Sequence, residues 1–153
     1  MHYHSFVSPL GLLTMTEENG ALVALEWGRL PGKLESCLLL QRAAEQLSAY
    51  FRGERQVFDL SLAPRGTAFQ QRVWAALGTI PFGIVRSYGA LAADLGMAPR
   101  AVGMACARNP IPILIPCHRI MAANGGLGGY SEHAGIEAKR HLLALEGVHI
   151  PRM

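Results

Sequence analysis

The chain changes its periodicity once, at Pro64-Arg65-Gly66, and that break limits the folds open to it. Before it, His4-Ser5-Phe6-Val7, Leu12-Leu13-Thr14-Met15 and Ala21-Leu22-Val23-Ala24-Leu25 form short strand-like runs. Ser8-Pro9-Leu10-Gly11 and Glu17-Glu18-Asn19-Gly20 separate them with turn chemistry, which predicts an antiparallel meander. A helix is expected over residues 34–52, with Leu34, Leu38, Leu47 and Phe51 near one face, Cys37 on the buried side and Gly53 at its end. Residues 57–62 are a candidate further strand. After the break the pattern is helical. Thr67-Ala68-Phe69-Gln70 has the form of a capping box, opening a helix to about Leu77 that Gly78 and Pro81 close. Ser87 caps a second helix through Leu95, Gly96 turns the chain, and Pro99 suits the first position of a third helix running to about Arg108. A Gly-rich loop over residues 125–129 precedes a last helix, about 134–146. The expected fold is therefore α+β. A small N-terminal antiparallel sheet with one helix (residues 1–64) is followed by a mainly helical, winged-helix-like domain (residues 65–153) containing a helix-turn-helix.

A chain of 153 residues, 50% of them hydrophobic, buries enough surface to fold without a metal or disulfide. So apolar a composition argues against disorder. No apolar run approaches the roughly 20 residues that span a bilayer, and Met1-His2-Tyr3-His4-Ser5-Phe6 lacks the features of a secretory signal. Cys37, Cys106 and Cys117 cannot all pair within the chain and contain no CxxC, so free thiols in a reducing compartment are expected. A cytoplasmic monomer with no membrane partner follows as the expectation.

Charge is divided along the chain. Residues 1–64 carry five basic and seven acidic side chains, net −2; residues 65–153 carry nine and four, net +5. From Arg65 to Arg119 there are six arginines, no lysine and a single acid, Asp94. Arginine suits phosphate recognition and stacking. With opposing acids this scarce, a polyanion, nucleic acid, is a better partner than a set of surface salt bridges.

Leu91-Ala92-Ala93-Asp94-Leu95-Gly96-Met97, continuing through Val102 and Ala105, has helix-turn-helix spacing, with Leu91, Leu95, Met97 and Val102 as the apolar seam. An ordinary helical hairpin has the same pattern. Arg100 at the start of the second helix, with Arg86 and Arg108 flanking the unit, favours DNA. Ala98, Ala101, Ala105 and Ala107 make that helix smooth, unsuited to reading base edges but suited to close backbone approach with one inserted side chain. Cys117 lies in Ile115-Pro116-Cys117-His118-Arg119-Ile120, where ionisable neighbours favour the thiolate.

Ile115-Pro116-Cys117-His118-Arg119 resembles the signature of the O6-alkylguanine-DNA alkyltransferases, the methylated-DNA–protein-cysteine methyltransferases. Phe69-Gln70, Val73-Trp74, Ile80-Pro81-Phe82-Gly83, Ser87-Tyr88, Arg100-Ala101-Val102-Gly103, Asn109-Pro110, Pro112, Gly128-Gly129-Tyr130, Lys139, Leu142-Leu143 and Glu146-Gly147 continue the resemblance in order. It covers roughly residues 65–148; the first 64 fit the family's more variable N-terminal domain loosely.

The resemblance implies roles. Cys117 is the alkyl acceptor, His118 its base through a water, Glu146 the group orienting His118, and Asn109 a support. Tyr88 donates to the guanine and helps rotate the nucleotide, and Arg100 fills the gap left by the flipped base. The carbonyls of Cys117 and Ile120 face the exocyclic amine and Ser131 the O6 side, with Tyr130 and Pro112 in the same pocket. Gln70, Gly89, Ala101, Arg108 and Arg119 fall on the DNA surface. The partner implied is duplex DNA carrying alkylated guanine, with O4-alkylthymine as a further candidate substrate. No cofactor is expected. Transfer of the alkyl group forms a thioether with no route back, so each molecule acts once.

The chain departs from the family in two places. Residues 131–138 run about two longer than usual, which puts Ser131 in question and leaves His133 near a helix start. Some relatives bind zinc through N-terminal Cys and His; here Cys37 falls in a helix and His2 and His4 have no thiol near them in sequence, so no metal is expected. Two other readings compete. One is a non-catalytic damage sensor, against which Cys117 argues. The other is a cysteine hydrolase built on Cys117, His118 and Glu146, for which the Arg-rich segment has no use.

Overall fold

A computed structural model describes residues 1–28, 35–122 and 135–149. The chain divides into two compact units, Met1–Arg65 and Gly66–Met153.

In the first unit, strands β1 (His2–Ser8), β2 (Gly11–Glu18) and β3 (Ala21–Trp27) form an antiparallel sheet in the order β1-β2-β3. Asn19 (φ 53°) and Gly20 (φ 82°) make the two-residue β2–β3 turn, both in the left-handed region that this tight hairpin requires. Leu13, Thr14, Met15 and Thr16 are all buried, so β2 is covered on both faces, and the Thr14 hydroxyl donates to Gly28 O at 2.6 Å. Helix α1 (Leu38–Phe51) packs on the sheet through Leu40, Ala43, Leu47 and Tyr50, a 3.6-residue stripe.

The structure corrects three expectations here. The helix begins at Leu38, so Cys37 is its N-cap and half-buried, not an interior core residue. Leu38, expected on the buried face, is 82% exposed, because the true stripe starts two positions later, at Leu40. Residues 57–62 form no strand beyond a single parallel bridge, Leu22 to Leu62. The side chain of Gln46 holds the backbone N–H and C=O of Asp59, and Pro64 follows without a donor, so a ladder cannot extend. Leu34 lies outside the described residues.

The second unit is helical. Helix α2 (Ala68–Leu77) opens with the expected capping box. Gln70 N donates to the Thr67 hydroxyl at 3.1 Å, and Thr67 N donates to Gln70 Oε1 at 2.9 Å. Helices α3 (Tyr88–Leu95) and α4 (Pro99–Ala107) form the helix-turn-helix, with Ser87 capping α3 and Gly96 (φ 66°) making the left-handed turn. Of the expected seam, Leu91 and Val102 are buried, joined by Ala92 and Ala105; Leu95 and Met97 are only half-buried. Trp74 Nε1 donates to Ala105 O at 2.9 Å and ties α2 to α4.

Two-residue strands β4 (Arg86–Ser87) and β5 (Ile120–Met121) pair in parallel, a feature too short to leave a sequence signal. This pairing sets the start of α3 beside the residues that follow Cys117. Helix α5 (Gly135–Leu145) buries Ala138, Lys139, Leu142 and Leu143. The Gly-rich loop at 125–129 falls outside the described residues. The α+β architecture read from the sequence is the one found.

Candidate active site

The backbone delivers Cys117 on a clamped loop. Asn109 Nδ2 donates to Ile115 O at 2.8 Å, and its Oδ1 accepts from Ile111 N at 3.0 Å, so one side chain spans the segment before the thiol. Within it Ile113 has φ 75°, a conformation a β-branched residue rarely adopts and which costs about 1–3 kcal/mol. Pro116 (φ −81°, ψ 65°) makes a tight turn in which Cys117 N donates to Ile115 O at 2.8 Å. A 3₁₀ turn over Cys117–Arg119 follows, leaving Cys117 5% exposed.

Behind the thiol is a buried charge cluster. His118 Nε2 lies 2.7 Å from Glu146 Oε2. Arg119 grips the same carboxylate with two donors, Nε to Oε1 at 2.8 Å and Nη2 to Oε2 at 2.9 Å, a forked geometry among the stronger hydrogen-bonded pairs. Arg119 Nη1 also donates to Ile80 O, and Gly83 N donates to Glu146 Oε1. The Ile80-Pro81-Phe82-Gly83 turn is thus a support for Glu146. Gly83 has φ 81°, and a side chain there would meet the Glu146 backbone oxygen at 3.2 Å, so this position favours glycine.

Burial holds the His118 pKa below its usual value, more than Glu146 raises it. The ring is therefore neutral at pH 7. With a carboxylate at Nε2, the proton belongs on Nε2, and Nδ1 carries the basic lone pair. Nδ1 has no hydrogen-bond partner among the described residues.

A cation that sequence reasoning gave no role also belongs to this site. Lys139 is fully buried, donates to Ile120 O, and lies 6.0 Å from the centroid of the Tyr88 ring. Burial lowers its pKa to about 8, while the thiols of Cys117 and Cys106 pull it back up. The signal was present: Lys139 falls on the same stripe as Ala138, Leu142 and Leu143, where a solvated lysine does not belong. Burial and the neighbouring thiols push the Tyr88 phenol up to about 12, so it stays protonated and able to donate. Cys106 is likewise pushed up to about 12, chiefly by burial, and remains a neutral thiol.

Tyr88 also lines a mostly apolar hollow of about 610 Å³ with Gly89, Pro99, Arg100, Gly103, Met104, Ala107 and Ala122. A second hollow of about 180 Å³ is lined by Gln70, Ala101 and Arg108 with Thr67, Phe69, Met104 and Ala105. The structure therefore groups Tyr88, Gly89 and Arg100 along one side of α4, and Gln70, Ala101 and Arg108 along the other. Pro112 is buried in the loop that Asn109 clamps. Tyr130 and Ser131 lie outside the described residues.

Arg119 does not belong with the DNA-facing group. It is 7% exposed and its donors are taken by Glu146 and Ile80. The reading of unopposed arginines is corrected more widely. Arg65 pairs with Glu18, Arg86 with Asp94 at 2.7 Å, and Arg72 donates to Leu95 O. Only Arg100 and Arg108, of the six, form no ion pair or hydrogen bond through their side chains among the described residues.

Residues 68–148 match the DNA-binding domain model of 6-O-methylguanine DNA methyltransferase, and residues 1–64 match the ribonuclease-like domain model of the same family. The chain belongs to the 6-O-methylguanine DNA methyltransferase family. Among relatives of this methyltransferase, the methylated-DNA–protein-cysteine methyltransferase of Mycolicibacterium paratuberculosis is 44% identical, over 99% of this chain and 95% of its own. The enzyme of that name from Methanosarcina acetivorans is 42% identical, over 96% and 99%. The crystal structure of Mycobacterium tuberculosis OGT in complex with DNA superposes with a TM-score of 0.86 at 45% identity, covering 95% of this chain and 92% of that one. The first 64 residues, whose motifs resemble the family only loosely, are thus part of the family match. No helix among the described residues is long and apolar enough to cross a membrane.

Proposed function

We propose that this methyltransferase repairs duplex DNA by moving an alkyl group from O6 of guanine onto Cys117, once per molecule. The observation that carries the reading is the buried Cys117 thiol, followed in the chain by a buried imidazole that the Glu146–Arg119 pair holds. His118 takes the Cys117 proton through a water at Nδ1, the ring nitrogen that Glu146 does not use. The thiolate attacks the alkyl carbon, the carbon–oxygen bond breaks, and the electron pair remains on the guanine oxygen. The proton taken from Cys117 returns to the guanine, so no cofactor is required. The Tyr88 phenol donates toward the departing base, where charge develops. The Lys139 ammonium favours the thiolate electrostatically and holds the Ile120 carbonyl; that oxygen retains a second lone pair for the exocyclic amine of guanine.

The target base reaches Cys117 only by leaving the stack, at a cost of a few kcal/mol that is smaller for a damaged pair. The smooth face of α4 approaches the backbone in the minor groove, and Arg100 fills the space the base vacates. Residues 65–153 carry DNA binding and catalysis, and residues 1–64 act as a support domain. The protein works as a cytoplasmic monomer, near the nucleoid when acting. Intact-mass measurement after incubation with duplex containing O6-methylguanine tests the whole reading. One methyl group on Cys117 per molecule is expected; no adduct, or an adduct on Cys37 or Cys106, overturns it.

A further inference from the structure

We propose that Met104 makes repair sensitive to the base pairs beside the lesion, favouring A·T over G·C, and this rests on the DNA reading above. Helix α4 is smooth by composition, with Ala101, Gly103, Ala105 and Ala107, yet one long apolar side chain interrupts its outer face. Met104 is 60% exposed and lines both hollows, so it forms the ridge between them. Arg100, Met104 and Arg108 follow at four-residue spacing and are all exposed, which puts them in one row. Met104 therefore stands about 6 Å along the helix from Arg100. Stacked bases are about 3.4 Å apart. With Arg100 in the vacated space, a side chain at that distance meets the neighbouring pairs rather than the lesion.

The chemistry around this ridge is one-sided. Arg100 and Arg108 offer donors only. In the second hollow, the side-chain oxygens of Thr67 and Gln70 already accept each other's backbone N–H in the capping box. The Tyr88 phenol is directed to the departing base on the same reading. What remains is carbon and a thioether, a weak acceptor. In the minor groove an A·T pair shows acceptors alone, whereas a G·C pair adds the N2 amine of guanine, a donor. A row of donors and carbon matches the A·T edge. Against G·C, Met104 would cover the amine, strip it of water and give it nothing to bond, which costs an unmade hydrogen bond. Reading a full sequence is beyond so smooth a helix, but this two-way distinction is the one the minor groove permits.

Single-turnover methyl transfer from three duplexes tests this. Each carries O6-methylguanine, flanked on both sides by A·T pairs, by G·C pairs, or by hypoxanthine–cytosine pairs, which are G·C pairs without the N2 amine. The native chain is expected to repair the G·C-flanked duplex about fivefold more slowly than the other two. Met104→Gln keeps the length of the side chain and supplies an acceptor, so there the hypoxanthine-to-guanine rate ratio should fall below about twofold. Met104→Ala, which uncovers the amine, should lower the ratio likewise. Each ratio is taken within one protein, so a general loss of activity cancels. Flank stability by itself would give the same ratio in all three proteins. A native ratio near one, or a ratio that survives both substitutions, overturns the proposal. No transfer from any of the duplexes overturns the alkyltransferase reading, and the proposal with it.

Discussion

Beneath Cys117 the cations are enclosed: Arg119 is 7% exposed, Lys139 is fully buried, and both are held by specific acceptors. On the outer face of α4, Arg100 and Arg108 are exposed and lie along two hollows. The inner cations hold the Glu146 carboxylate and the Ile80 and Ile120 carbonyls around the groups proposed to react. The outer ones are available to an external polyanion. Net basic charge therefore overstates the DNA-binding surface, since much of the arginine surplus is used to build the molecule.

The largest effect should come from breaking the inner cluster. Glu146→Gln leaves His118 without its carboxylate and Arg119 without a counter-charge. Single-turnover alkyl transfer is expected to slow by about 10²-fold. Urea denaturation should show a loss of about 3 kcal/mol, as for other severed buried pairs. Full stability in this variant would mean that the cluster is not structural. On the outer face, Arg100→Ala should slow repair of duplex DNA about tenfold, a part of the extrusion cost. Reaction with free O6-benzylguanine should stay within twofold. Equal losses on both substrates would place Arg100 in the chemistry or the fold.

Lys139→Met separates charge from packing. It should slow transfer several-fold, since the thiolate loses a neighbouring cation. It should also raise stability at pH 7 by about 1–2 kcal/mol: a buried charge is removed, against the loss of one hydrogen bond to Ile120. The sign follows from linkage. The folded-state pKa is depressed from 10.5 to about 8, so the unfolded chain holds the proton more tightly between those values. Stability from this group is fully present above 10.5 and is lost as pH falls through about 8. The variant's advantage over the native chain should therefore shrink as pH rises through that window, which denaturation at several pH values will show. The smallest effect belongs to Arg108→Ala, which should reduce the salt dependence of DNA affinity by about one phosphate contact and leave transfer to free base unchanged.

Much of this was legible in the sequence. The Asn19-Gly20 turn, the Thr67/Gln70 capping box, the Ser87 cap and Pro99 act locally, and local chemistry can be read from neighbours. The signature around Cys117 located the thiol and its imidazole. The phase of α1 was missed because several leucines at its start compete for the stripe, and only packing on the sheet selects Leu40 over Leu38. The burial of Arg119 was missed because its partner, Glu146, is distant in sequence. The role of Lys139 was missed for the same reason: a lysine takes its meaning from the thiols that α5 packs against.

The Glu146 contacts also impose an order in time. A ribosome delivers Cys117 before Lys139 and Glu146, the residues proposed above to supply its cation and orient its base. The contacts that Gly83 and Arg119 make with the Glu146 carboxylate require this last residue to be in place. On the proposed function, a thiol that can react only once gains the groups that would activate it last, when the end of the chain is in place.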